Sequence, residues 1–453
     1  MKTIGIDIGT SGAKGLLVEF PEGRILASAK AGYALHGEGN RAEHDPEDWM
    51  RAVESILSEL GPADAIGLDG MMHSEVCLER TEGGGPAGAS RAILWCDGRA
   101  EEACREIEER IGLEELRRSV ANRPFAGFTL PHLLWRDRLG TVLVCKDYVR
   151  YRLTGDLRQE ASDASGTLCW DVARGGWATR LLESLGIDPE LFPAPCGSTE
   201  VVGEWKGIPV VGGAADNAAA AVGVGVVRPG QALVSMGTSN VLLVVHDEPR
   251  VDAEMRVHTF THAVPGRFLR LGCMLTGTRA LDWALRLFGE TVESAPIAES
   301  SEGVLFAPYL VGERTPHADT RVRGIFAGLG PDHDRSHLLR AVMEGTAFAL
   351  RDAHAIAGGE SVRVTGGGMR NALWRQIVAD VLEVPVITVN TGEEGAAFGS
   401  TILAAVGVGA FGSIEEACDR VVRETSVTRP ERSYREAYAR FRRLWPAARS
   451  LAE

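Results

Sequence analysis

The chain repeats itself. Ile6-Asp7-Ile8-Gly9-Thr10-Ser11 lines up with Val234-Ser235-Met236-Gly237-Thr238-Ser239, so each half holds an apolar strand, a Gly-Thr-Ser turn and a second apolar strand, at 16–18 and 241–245. A second match follows in the same order. Ile208-Pro209-Val210-Val211 leads to Asp216-Asn217-Ala218-Ala219, and Val384-Pro385-Val386-Ile387 leads to Glu394-Gly395-Ala396-Ala397. The chain has 54 glycines in 453 residues, set at the ends of apolar runs. Two matches in one order therefore argue for duplicated domains over chance. The boundary is expected near 222–230, where Gly and Pro cluster, giving domains 1–225 and 226–453. A cleft between two similar domains is a common ligand site.

Apolar runs at 3–8, 13–19 and 25–29 with turns between them read as an antiparallel meander. Asp45-Pro46-Glu47-Asp48 is a helix start, and Trp49, Val53, Ile56, Leu57 and Leu60 follow at helical spacing. A strand at 65–68 opens into Asp69-Gly70-Met71-Met72-His73, and strands alternate with helices thereafter, so the class is α/β. A formal charge of −14 disfavours nucleic acid and anionic membrane as partners. No apolar run approaches a membrane span, and Asp7 interrupts any signal-peptide core. Eight cysteines without a CxxC pair read as reduced thiols, which points to the cytoplasm.

Asp7-Ile-Gly-Thr-Ser-Gly-Ala-Lys14 joins a strand to a glycine turn. Glycines let backbone approach phosphate, Thr10 and Ser11 add hydroxyls, and Lys14 adds charge. Asp7 would repel phosphate without a cation between them, which implies Mg²⁺. The second turn carries Thr238, with Ser235 in place of the acid, and two such loops can clamp one polyphosphate. Neither a Walker A motif nor a GxGxxG opening a βα unit is present. Residues 362–365, Gly366-Gly367-Gly368 and a helix from Asn371 bring bare backbone to a ligand. Asp216, among small residues at the expected hinge, reads either as a helix N-cap or as a carboxylate that could accept a proton from an attacking hydroxyl, and the close approach and the hinge raise the second reading. His258 and His262 fall on a strand, too far apart for one metal ion, and read as structural.

These residues resemble the FGGY carbohydrate kinases, and within them the xylulokinases most closely. The likeness runs along nearly the whole chain. It takes in the Asp7–Lys14 loop, Met72-His73, Ile93-Leu-Trp-Cys-Asp-Gly-Arg99, Cys145-Lys-Asp-Tyr148, the two GTS turns, Leu281-Asp-Trp283 and Gly312-Glu-Arg-Thr-Pro-His317. The resemblance implies two duplicated actin/hexokinase-like (ribonuclease H-like) domains with an interdomain cleft. It implies ATP-dependent phosphorylation of a sugar, D-xylulose first, with ATP and Mg²⁺ as cofactors and a homodimer as the oligomer. Asp216 is then the catalytic base and Asp7 orders Mg²⁺. Thr10, Ser11, Lys14 and Thr238 meet phosphates, while Trp283, Gly367 and Asn371 meet the nucleotide. Met72, His73, Trp95 and Asn217 face the sugar beside Asp216. Met71 and His132 replace the usual family Gln and Lys. The alternatives are a kinase of ribulose, gluconate, fuculose or glycerol, and a non-catalytic sensor on the same fold.

Overall fold

The structure is a computed structural model that describes residues 1–80, 86–137, 140–392 and 394–452. It divides into two units. The first is Met1–Arg228 with His246–Leu269 and Glu394–Arg423; the second is Pro229–Val245, Arg270–Glu393 and Glu424–Glu453.

In the first unit β1 (Lys2–Ile8), β2 (Gly12–Glu19) and β3 (Arg24–Gly32) form the meander, followed by helix α1 (Pro46–Leu60) and strand β4 (Ala65–Gly70). Later come β5 (Val201–Trp205), β6 (Ile208–Val211), the two-residue β7 (Ala214–Ala215) and helix α2 (Asp216–Gly223). The sheet order is β5-β6-β4-β1-β2-β3, with β7 running on along β4. Helix α1 begins where its residues require. The Asp45 side chain accepts from the Glu47 N–H at 3.0 Å, Pro46 needs no donor, and Glu47 and Asp48 sit on the positive end of the dipole. Trp49, Val53, Ile56 and Leu57 go into the core with Ile4, Ile6 and Leu68.

The second unit is built the same way. Its main sheet includes β8 (Gln231–Met236), β9 (Asn240–His246), β10 (Phe268–Met274), β11 (Ser361–Thr365), β12 (Val386–Val389) and β13 (Glu424–Thr428). They run in the order β13-β12-β11-β8-β9-β10. Helices α3 (Thr278–Phe288), α4 (Arg335–Ala357) and α5 (Ala372–Leu382) contribute Ala284, Phe348 and Trp374 to its core. Registers match as well as order: Asp7 lies opposite Asp69 on the parallel β1–β4 pair, and Ser235 opposite Thr365 on β8–β11.

The helix after β12, α6 (Gly395–Gly407), belongs to the first unit and packs on α2 and β1. The approach depends on missing side chains. A Cβ on Gly399 would fall 1.9 Å from the Ala219 carbonyl, and one on Gly223 1.8 Å from that of Gly395. All eight cysteines are free thiols. Among the described residues no helix is long and apolar enough to cross a membrane.

Candidate active site

Parallel strands β1 and β4 end side by side, and β7 ends beside β4, so one end of the first sheet carries Asp7, Asp69 and Asp216. This is the carboxyl end of parallel strands, where open α/β sheets bind ligands. Asp216 starts α2, and the preceding Ala215 gives no side-chain cap; the carboxylate is turned to its own neighbours instead. Its Oδ1 accepts from the Asn217 N–H at 2.7 Å and from Asn217 Nδ2 at 2.8 Å, and the Met72 N–H adds a third donor. Burial, then the negative charge of Asp7, outweigh those donors and push the Asp216 carboxyl up to about 7. Part of Asp216 stays open to solvent, so a ligand can reach it.

Asp7 and Asp69 share a hydrogen bond. Burial raises both, and the charge of Asp7 raises Asp69 further, so Asp69 keeps the proton and Asp7 takes the charge. Asp69 is fully buried, and Ser400 Oγ donates to its Oδ2 at 2.7 Å. Sequence reading passed over Asp69 and Ser400. The only signal was an acid within the strand 65–70, where burial on both faces favours apolar residues.

The first Gly-Thr-Ser turn closes between β1 and β2, where Ile8 faces Ala13, and the Gly9 N–H donates to the Gly12 carbonyl at 3.1 Å. Trp95 Nε1 donates to Thr10 Oγ1 at 3.0 Å, which brings a residue expected at the sugar onto the phosphate turn. Lys14 is cross-strand partner to Asp7 and pairs with Glu394. Met72 is buried, with its sulfur 3.6 Å from Asn217 Nδ2. His73 has a left-handed backbone (φ 68°), its Nδ1 lies 2.5 Å from the Gly166 carbonyl, and its ring stacks on Phe128 at 4.2 Å. Met72, His73, Trp95, Asn217 and Asp216 are thus tied into one neighbourhood with Asp7 and Thr10. Met71 turns into the core, with its sulfur 4.0 Å from Thr10 Oγ1. His132 is fully buried, and burial pushes it down to about 3, so it stays neutral. His258 and His262 are held apart, by Asn122 Oδ1 and the Val226 carbonyl, each at 3.1 Å.

In the second unit the turn at Thr238 is one residue shorter, with Met236 facing Asn240. Gly277 and Thr278, at the start of α3, donate to the Thr238 and Gly237 carbonyls at 2.9 and 2.7 Å. A Cβ on Gly277 would sit 2.3 Å from Asn240 Oδ1, so only glycine fits; the sequence reading had not singled it out. The 312–317 motif braces this corner: Glu313 Oε1 accepts from the Leu275 N–H at 2.9 Å, and Thr315 Oγ1 from the Cys273 N–H at 3.0 Å. Gly366 (φ 87°) packs against Met236, and a Cβ on the exposed Gly367 would meet nothing within 4 Å. Asn371 caps α5 through the Trp374 N–H, and Trp283 on α3 stacks on Phe306 at 6.0 Å.

Among the described residues no three His, Cys, Asp or Glu side chains form a group that could hold a metal ion. Mg²⁺ in phosphoryl-transfer sites keeps most of its waters and takes one or two carboxylates plus phosphate. Asp7, at the strand end that leads into the Gly-Thr-Ser turn, fits that weaker demand.

The FGGY family of carbohydrate kinases matches through its N-terminal domain over residues 2–223 and through its C-terminal domain over 232–408. A xylulose kinase of Bacillus subtilis (strain 168) is 35% identical over 94% of this chain and 92% of its own. One of Escherichia coli (strain K12) is 34% identical over 98% of both. The solved structure of a xyloylose kinase from Brucella ovis superposes with a TM-score of 0.92, 32% identity and full coverage of both chains. The chain belongs to the FGGY family of carbohydrate kinases and is an ATP-dependent sugar kinase.

Proposed function

We propose that the enzyme phosphorylates D-xylulose in preference to other sugars, with Asp216 as general base. The observation that carries the reading is Asp216 itself. It is a carboxylate pushed up to about 7, aimed by three donors from Met72 and Asn217, with His73 next along the chain from Met72. A base tuned near neutrality accepts a hydroxyl proton while staying partly ionised at working pH. The xylulose kinases to which the chain is similar along nearly its whole length supply the choice of sugar.

In this mechanism Met72, His73, Trp95 and Asn217 hold the sugar, and Asp216 takes the proton of its terminal hydroxyl. The hydroxyl oxygen attacks the γ-phosphorus in line as the bond to the leaving ADP oxygen breaks. Thr10, Ser11, Lys14 and Thr238 bind phosphate oxygens, and Lys14 exchanges Glu394 for phosphate. Trp283, Gly367 and Asn371 hold the adenosine. In this reading the first unit carries the sugar and the first phosphate turn, and the second unit the nucleotide. Asp7 would hold Mg²⁺, which supplies charge neutralisation on the phosphates. Reduced thiols and the need for ATP suit the cytoplasm.

The test is ADP release from purified enzyme across ketopentoses, other ketoses, aldonates and glycerol, for wild type and Asp216→Asn. D-xylulose should give the highest kcat/KM, and Asp216→Asn should lower kcat ~10²–10⁴-fold with nucleotide still bound. Glycerol or an aldonate ranking above every ketopentose would overturn the substrate. A variant within threefold of wild type would overturn the base.

A further inference from the structure

Behind Asp216 lies a set of ionisable side chains that the chemistry above leaves unused. Lys146, Asp147, Arg150, Glu160 and Asp163 are all fully buried. Two bonded paths lead from them, and both end on the backbone that delivers Asp216. On the first, Arg150 pairs with Asp147, and its Nη1 donates to the Gly212 carbonyl at 3.0 Å. On the second, Ser162 Oγ donates to Glu160 Oε2 at 2.7 Å and accepts from the Ala215 N–H at 3.0 Å, one residue before the base. Lys146 Nζ joins the two paths, 2.9 Å from Asp147 Oδ1 and 3.5 Å from Glu160 Oε2.

A cluster like this is a weak source of stability, because desolvating each ion offsets most of the attraction. Asp163 Oδ1 and Oδ2 and Arg150 Nε find no hydrogen-bond partner, so the geometry is fixed by the two bonded paths, whose links are strengthened by the low local dielectric. The segment they hold has little freedom elsewhere: Gly213 (φ 78°) passes so close to β4 that a Cβ would fall 2.0 Å from the Leu68 carbonyl. The last N–H of β7 goes to a side chain, that of Ser162.

We propose that the Lys146-centred cluster is a positioning device for the general base, and that Ser162, by fixing the backbone at Ala215, aims the Asp216 carboxylate at the sugar hydroxyl. The inference rests on Asp216 being the base. Ser162 touches no reacting atom; it acts through Asp216. A displacement near 1 Å at a reacting group costs ~10²-fold in rate, so loss of this link falls on kcat.

Ser162→Ala, Ser162→Thr and Asp216→Asn are compared in the full-length enzyme by steady-state kinetics and thermal denaturation. Ser162→Ala should lower kcat at least tenfold, with both the sugar and ATP KM within twofold of wild type. Ser162→Thr keeps the oxygen and should recover most of kcat, whatever either change does to the melting temperature. A kcat within threefold of wild type in Ser162→Ala overturns the proposal. So does a loss carried by KM, or one that Ser162→Thr matches. An inactive Asp216→Asn beside an intact Ser162→Ala removes only this inference; an active Asp216→Asn removes the reading beneath it.

Discussion

Asp69 and Asp216 are carboxyl groups at neighbouring strand ends, and their surroundings raise both by different amounts. Asp69 has one donor, Ser400 Oγ, and faces the charge of Asp7, so it stays neutral. Asp216 has three donors and ionises near 7. Its folded pKa lies above the unfolded value, so its contribution is favourable at low pH and is lost as pH rises through about 7. A shift of this size amounts to at most ~4 kcal/mol, less for the solvent contact the side chain keeps. Asp216→Asn should therefore melt above wild type at pH 8, with the gap closing toward pH 4. Paired melting curves check this, and a gap independent of pH would refute it. His73 makes a different demand, because its left-handed backbone suits Asn better than Ala. His73→Asn keeps the backbone and loses the imidazole. It should raise sugar KM about three- to tenfold, the value of a lost hydrogen bond, with ATP KM unchanged in initial-rate assays. Asp216 and His73, though not Asp69, were legible as candidates from their motifs. Their protonation and backbone strain were not, because burial, Asp7, Gly166 and Phe128 set them.

The duplication was legible at the level of elements because it is written in short spans: strand, turn, strand, each within about a dozen residues. The meander, α1 and its cap, and the β12–α6 match were visible for the same reason. What no local pattern carried was the home of α6, which follows β12 in sequence and packs on α2 in the first unit. That contact yields a prediction. Gly to Ala in a solvent-facing helix position stabilises by about 0.5–1 kcal/mol. Gly399→Ala instead places a methyl 1.9 Å from the Ala219 carbonyl and must spread α2 from α6. It should destabilise by about 1–3 kcal/mol in urea unfolding, the usual cost of overpacking. Because α2 begins at Asp216, kcat should fall with it.

For the whole molecule, ligands that bind only the folded chain stabilise it by mass action, about 2.7 kcal/mol at a hundred times Kd. Sugar and Mg·ATP should each raise the melting temperature. Asp7→Asn should keep the sugar shift and lose the Mg²⁺-dependent part of the nucleotide shift, read by thermal denaturation with and without chelator. An unchanged Mg²⁺-dependent shift would remove Asp7 as the residue that holds the cation. By itself the sequence determined the α/β class, the duplicated strand–turn–strand units and the turns on which the candidate site residues sit, since periodicity, turns and caps are decided by neighbours along the chain. The tertiary structure alone decided which carboxyl stays neutral, which ionises near 7, and what steadies it. Those properties arise from contacts such as Ser162 with Ala215, 53 residues apart, and Ser400 with Asp69, 331 apart. Desolvation and long-range charge act through space, and no pattern of adjacent residues encodes them.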